Sequence, residues 1–430
     1  MRFFADLHFH SKYSRACSKD LDLEHLVYWS KLKGLNLIAT ADFTHPFWFH
    51  ELRTKLEEDG SGFLRLKKEY QIDSQIEKEI FFVPSVEISS IFSRAGQVKR
   101  MHYLVILPDL DSVEKFNQKL SFHGNLRSDG RPILGLEPKA VLELGLSVNP
   151  KMIFIPAHIW TPWFSLFGSM SGFNSINEAF GDLTQFIPAI ETGLSSDPEM
   201  NWRLSQLDPF QIVSSSDAHS PQPHRIGREA TVFELEKPNY ASLFQALKNP
   251  NEKNRIELTI EFYPEEGKYH YDGHRSCQIS FSPEESKRNN FLCPICAKKL
   301  TIGVLSRVEE LADRPSGYIG PNRPPAKHLI PLSEIIAEAL KSGPTTKKVL
   351  DLYLTIVNHF ENEFNLFLGD ADINEIKNKI PEPVWLGLNK FKKGELKIKP
   401  GYDGVYGEIK IIDLDEAESK KTAERPKSLF

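Results

Sequence analysis

Long apolar runs are missing from this 430-residue sequence. None approaches the roughly 20 residues that a membrane-spanning helix needs, and the N-terminus shows neither a signal-like apolar stretch nor a cleavage site. A cytoplasmic protein without membrane partners is expected. Cysteine is scarce: four residues, three of them between positions 277 and 296, are too few and too clustered for a disulfide framework in a chain this long. Zinc is the better reading of that cluster. Neither sign of charge dominates, because 53 Lys and Arg face 58 Asp and Glu, so only local patches can speak for a polyanionic partner. No segment has the form G-x-x-x-x-G-K-[ST], which leaves an NTP-driven motor of that type without its phosphate loop.

What the sequence does have is order. β-rich runs recur at "RFFADLH", "LNLIATAD", "IFFVPSVE", "RMHYLVIL", "KMIFIPAH", "FIPAIET" and "QIVSSSD", separated by helix-like segments such as "DLEHLVYWSKLKG". A repeating strand-then-helix order predicts an α/β fold with parallel strands, and seven of them suit a closed barrel.

The strand ends carry the chemistry. His8 and His10 alternate along the first strand and so point to one side, where both imidazoles can meet one object. Later strand ends bring Asp42 with His45 just beyond, Glu87, His158, Glu191, and Asp217 with His219, and His102 stands near the start of "RMHYLVIL". In a parallel barrel these residues would converge on the C-terminal rim. So many polar groups at one rim would be costly to bury uncompensated, and divalent cations supply the compensation. Mixed imidazole and carboxylate donors suit Zn, Mn or Fe, and their number points to two or three ions. Clustered ions suit hydrolysis of phosphate esters, because they activate water and neutralise the attacking and leaving oxygens.

Together "DLHFHS", "ATADFTHP", "PSVEIS", "MHYLV", "PAHIW" and "SSSDAHS" resemble the PHP family of polymerase and histidinol phosphatase domains, over about the first 235 residues. The resemblance implies a seven-stranded barrel with up to three metal ions, held by His8, His10, Glu87, His102, His158, Asp217 and His219. The second motif departs from the family pattern: Asp42 is followed by Phe43, and His45 is the candidate for the missing imidazole. Glu191 has no firm family counterpart and ranks below the other ligands. Asp217, His219, Glu87 and Asp42 are the expected catalytic residues.

Beyond the barrel, His274 and Cys277 are spaced H-x-x-C, and Cys293 and Cys296 are spaced C-x-x-C. Two such knuckles can aim four ligands at one tetrahedral zinc, with His270 competing with His274 for the fourth place. Past this zinc ribbon the chain is locally basic, and "NKFKKGELKIKPGYDG" interleaves lysines with aromatics in a way that suits phosphate contact and base stacking. Arg307, Arg314, Arg323, Lys327, Lys392 and Lys393 are the candidate DNA contacts.

With "GHRSC", "CPIC", "LTIGVLSRVEELADRP" and "KHLIPLSEIIAEAL" included, the whole chain resembles the endonuclease Q group, in a bacterial-type branch. That resemblance implies incision of DNA, duplex or single strand, on the 5′ side of deaminated bases (uracil, hypoxanthine, xanthine) or abasic sites. The bases would be read extrahelically, and Trp160, Trp163 and Phe164 are candidates for the pocket. The expected organisation is a PHP barrel over 1–255, a zinc ribbon over 256–306, a mainly helical nucleic-acid-binding region over 307–413 and a charged tail over 414–430. Two or three barrel ions (Zn, Mn, Fe or Mg) and one structural zinc are the expected cofactors. The rival readings are a phosphatase of small phosphomonoesters and a non-catalytic DNA-binding protein.

Overall fold

The computed structural model describes residues 1–321 and 323–411. The tail expected over 414–430 lies outside the described residues. No described helix is long and apolar enough to cross a membrane.

All seven expected strands form, and the fold is mixed α/β. The expectation of an all-parallel barrel needs correction. The largest sheet runs Ala326–His328, Arg255–Glu261, Ala230–Glu234, Arg2–Asp6, Leu37–Ala39, Phe81–Val83, Leu64–Leu66, Leu56–Glu58. Arg2–Asp6 is parallel to Leu37–Ala39 but antiparallel to Ala230–Glu234, so the sheet is mixed. A second sheet joins Ser85–Arg94 to Gln97–Ile106 and Gln97–Ile106 to Ile153–Pro156, both antiparallel. The reason lies in a two-residue link. Ala95 and Gly96 have φ of 50° and 75°, the conformation of a tight hairpin turn, and two residues cannot make the crossover that parallel neighbours require. Pro84 divides "IFFVPSVE" between the two sheets. Ala189–Glu191 and Gln211–Val213 form a short parallel pair of their own.

Backbone hydrogen bonds stitch these sheets together: Leu107 N–H donates to Pro84 O at 2.9 Å, Ile159 N–H to Glu191 O at 3.1 Å, and Asp217 N–H to His8 O at 2.9 Å beside His10 N–H to Ala218 O at 3.1 Å. Alternate residues from all three sheets, among them Ala5, Leu37, Val83, Leu104, Ile155 and Val213, share one buried interior. Period-two alternation therefore sends one side of every strand to a common core and leaves the strand ends to gather polar residues at its rim.

The boundary drawn at 255/256 falls inside the strand Arg255–Glu261, which is paired on both sides within the main sheet. The body thus reaches at least Glu261. Beyond it, Asp272–His274 and Ile279–Phe281 form a small antiparallel hairpin. The helices Leu332–Ala339, Lys347–His359, Glu363–Leu368 and Glu382–Lys392 bury their apolar faces in a separate cluster that also takes in Leu32. A fully buried ion pair, Lys33 Nζ to Glu363 Oε1 at 2.7 Å, pins this helical region to the body. Breaking one side of such a pair costs more than the pair contributes, so the docking is specific.

Candidate active site

Two groups of donor atoms lie at the rim, His8, His10, Glu87 and Asp217 in one and Glu87, His102 and His158 in the other, each with its atoms within 4.8 Å of one another. Glu87 belongs to both. Its Oε1 lies 2.7 Å from His102 Nδ1 and 3.1 Å from His158 Nε2, and its Oε2 lies 3.4 Å from His10 Nε2 and 3.6 Å from His8 Nε2. Asp217 Oδ1 is 3.1 Å from His10 Nε2. His8 Nε2 is buried and has no hydrogen-bond partner. A buried imidazole nitrogen facing two carboxylates without a bond to either is what a metal ligand looks like, and the mixed donor set fits transition-metal or zinc ions.

The backbone is bent to make this site. Asp42, His158 and Asp217 have φ of 38°, 30° and 47°, each just past a strand end. Left-handed backbone at non-glycine residues is strained, and it persists where surrounding contacts impose it. Those contacts are visible at Asp6, whose buried carboxylate accepts N–H bonds from Ser216 at 3.0 Å and Gly227 at 2.9 Å and so braces the Asp217 loop. Burial pushes the Asp6 pKa up to about 6.

Electrostatics agree with a cation site. Burial opposes ionisation of Glu87, yet His102, Arg131 and His8 together hold its pKa well below the ordinary carboxylate range. Burial likewise opposes protonation of His8, and Glu191, Glu87 and Asp217 outweigh it and hold its pKa well above the usual value. At His10 burial is overcome by Asp217 and Asp42, and the pKa rises to about 9. The rim carboxylates thus favour positive charge beside them, which a divalent ion would also supply.

Two expected ligands fall outside both donor groups. Glu191 stands behind His8: its carboxylate takes His8 Nδ1–H at 3.0 Å and the His158 backbone N–H at 3.0 Å, which leaves His8 Nε2 to face the rim. Asp42 plays the same part for His10. It lies 3.5 Å from His10 Nδ1 and is engaged by Ser11 N–H, Ser11 Oγ–H and Ser14 Oγ–H at 2.7–2.8 Å. Both carboxylates orient imidazoles from outside the donor groups. Glu191→Gln should therefore weaken barrel-metal affinity by about 10- to 100-fold while leaving the fold intact, as metal titration against a chelator would read. Wild-type affinity would remove the orienting role.

His45 falls outside them as well. It occupies the N-cap position of the helix Pro46–Lys55 without a side-chain cap bond, and its ring stacks on Tyr13 at 4.5 Å. His219 lies outside them too, yet stays at the mouth, with its ring 4.5 Å from that of His10. Its Nδ1–H donates to Asp217 O at 3.0 Å, so Nε2 is the nitrogen free to accept. Arg131, which sequence reasoning passed over, reaches Glu87 Oε2 at 3.0 Å. Of the aromatic candidates, Trp160 is core, 1% exposed and bonded through Nε1–H to Asn201. Phe164 packs 4.8 Å from His102, and Trp163 stands on Tyr269.

At the second centre, His274, Cys277, Cys293 and Cys296 converge, with Cys296 Sγ 3.6 Å from His274 Nδ1. His270 does not join them; it is buried and stacked on Tyr271. Three of the expected DNA contacts are spoken for. Arg307 is buried and bonds to Phe167 O, Phe173 O and Glu310, so it joins the helix Val304–Leu311 to the body. Arg314 and Arg323 both pair with Asp208. Lys327, Lys392 and Lys393 are exposed, and Lys392 Nζ–H donates to Ala371 O at 2.7 Å.

Residues 331–395 match the family model of the MJ0043 C-terminal domain. The protein MJ0043 of Methanocaldococcus jannaschii is 36% identical over 256 residues, 58% of this chain and 31% of that protein, so the chain spans about a third of that relative's length. The protein YqxK of Bacillus subtilis is 28% identical over 95% of this chain and 99% of its own. Among solved structures, the lesion-specific endonuclease PfuEndoQ of Pyrococcus furiosus superposes with a TM-score of 0.81 at 30% identity, covering 97% of this chain and 99% of that one. Endonuclease Q in complex with a 27-mer duplex bearing an abasic lesion at its active site gives 0.82 at 31%, covering 96% and 98%. Likeness of that extent embraces rim, zinc-ligand cluster and helical region alike, and the chain belongs to the endonuclease Q family of endonucleases.

Proposed function

We propose that this protein is a metal-dependent, lesion-specific DNA endonuclease that hydrolyses the phosphodiester on the 5′ side of an abasic site or a deaminated base such as uracil, hypoxanthine or xanthine. With DNA as substrate it is a cytoplasmic repair enzyme. The observation that carries the reading is a rim where one carboxylate, Glu87, serves two donor groups, in a chain that matches a lesion-bound endonuclease over nearly its full length.

His8, His10, Glu87 and Asp217 would hold one ion and Glu87, His102 and His158 a second, of Zn, Mn, Fe or Mg; such ions, when bound, activate water and neutralise charge on phosphate oxygens. The chain itself supplies orientation. Glu191 and Asp42 fix which nitrogen His8 and His10 present, and Asp6 holds the Asp217 loop. His219, with Nε2 bare at the mouth, is placed to take up or pass on a proton. Phe164, beside His102, and its chain neighbour Trp163, which stands on Tyr269, are the aromatic candidates for an extruded base. A structural zinc on His274, Cys277, Cys293 and Cys296 would set the module that follows the PHP-type body, and the helical region to 411 would grip the duplex.

Lys327, Lys392 and Lys393 would contact phosphates. Lys392→Ala with Lys393→Ala should weaken damaged and undamaged duplex alike and lower the log-log salt slope by roughly 0.9 per lost contact, without changing which lesion is cut. Unaltered affinity and slope would make them ordinary surface lysines. The function itself is tested by offering end-labelled duplexes with uracil, hypoxanthine, xanthine, an abasic site or no lesion, beside a small phosphomonoester. Incision confined to lesions supports the proposal, whereas turnover of the monoester alone would make the protein a phosphatase.

A further inference from the structure

The segment that ends in Arg131 is built onto the rim. Buried Asp129 accepts the backbone N–H of Arg131 at 3.2 Å and that of Arg15 at 3.3 Å, and its Oδ2 pairs with Arg15 Nε at 3.2 Å. Gly130 N–H donates to Tyr13 O at 3.0 Å, and Thr44 Oγ–H reaches Gly130 O at 3.4 Å. A side chain at position 130 would press into the Asp42 carboxylate and Ser14 Oγ. The segment is therefore keyed to the same two stretches that present His10 and Asp42. It ends by placing a guanidinium against the carboxylate that both donor groups share.

The Arg131 side chain is 28% exposed, whereas that of Glu87 is fully buried. Among the described residues its one ion pair is with Glu87 Oε2, so most of the five N–H donors of the guanidinium remain unspent at the mouth of the site. A residue needed only to neutralise Glu87 could be closed off; this one keeps an accessible planar fork beside both groups. Planar, always-charged forks match the oxygens of phosphate esters.

We propose that Arg131 is a catalytic residue that donates N–H to a non-bridging oxygen of the scissile phosphate. This rests on the endonuclease reading above. In the step it serves, a water oxygen forms the new P–O bond and loses its proton. The P–O3′ bond breaks, its electron pair leaves with O3′, and O3′ takes up a proton. Arg131 keeps all its protons, and its positive charge offsets the charge that gathers on the equatorial oxygens.

The test uses the metal-loaded protein with Arg131→Gln and Arg131→Lys. Single-turnover cleavage of an abasic duplex should fall by about 10²- to 10³-fold in R131Q and less in R131K, with barrel-metal content and duplex affinity unchanged. Added guanidinium should restore part of the R131Q rate and leave the wild type unaffected. A wild-type rate in R131Q, loss of metal in step with activity, or absence of guanidinium rescue would each overturn the role. Calorimetry with inorganic phosphate separates this proposal from the reading beneath it. If the wild type cuts no lesion but binds phosphate through Arg131, the endonuclease reading fails and the anion seat stands; phosphate binding equal in wild type and R131Q overturns the seat.

Discussion

Glu87→Gln should abolish strand cleavage, lowering the single-turnover rate by at least about 10³-fold, or roughly 4 kcal/mol of transition-state stabilisation. No other side chain at the rim is shared so widely, since its two oxygens face four imidazoles and Arg131. An amide keeps the shape and loses the charge, so both donor groups would lose their common anion at once. Metal analysis should then show depletion of the barrel ions with the structural zinc retained. The fold should survive, because the interior below the rim is apolar and does not depend on Glu87. Cleavage within a few-fold of wild type would mean that the chemistry is carried elsewhere.

Replacing Cys293 and Cys296 together by Ser should remove about one zinc per chain and unfold the module around it. A structural zinc contributes its binding free energy, about 10–16 kcal/mol in small zinc modules, directly to folding. Little else holds this segment: Cys296 and its neighbours Pro294, Ile295 and Ala297 are exposed, and Leu300 is among its few buried apolar residues. The loss should stay local. Gly303 N–H and Ser306 Oγ–H are bonded to Asp272, and Arg307 fastens the following helix to Phe167 O and Phe173 O. Limited proteolysis should therefore cut between the two knuckles in the double variant, and the barrel ions should remain. An intact zinc count, or protease resistance equal to wild type, would contradict a structural metal there.

The rim was legible in the sequence because strand-end histidines and carboxylates are conspicuous against apolar β-runs, and the two knuckles because their spacing is rigid. Direction was harder to read. The link "RAGQ" does carry a glycine at a two-residue turn, so the antiparallel pairing of Ser85–Arg94 with Gln97–Ile106 had a local signal. The backing of His8 by Glu191 had none: 183 residues separate them, and only the fold says which carboxylates touch metal donors and which touch their far nitrogens. Basic residues posed the same problem. Arg307 and Lys393 look alike in sequence, but one is buried in backbone hydrogen bonds and the other is solvated. Arg131 follows Asp129 and Gly130, and nothing local ties it to Glu87 forty-four residues away.

If the shared rim cuts DNA beside a lesion, the ends left on a single duplex will show it. A duplex with one abasic site, labelled on the lesion strand and incubated with the metal-loaded protein, should yield one break immediately 5′ of the site. That break should leave a 3′-hydroxyl and a 5′-phosphate, and it should vanish on chelation of the metal. Cleavage scattered along the strand, a break on the 3′ side, or the same break with chelator present would contradict it.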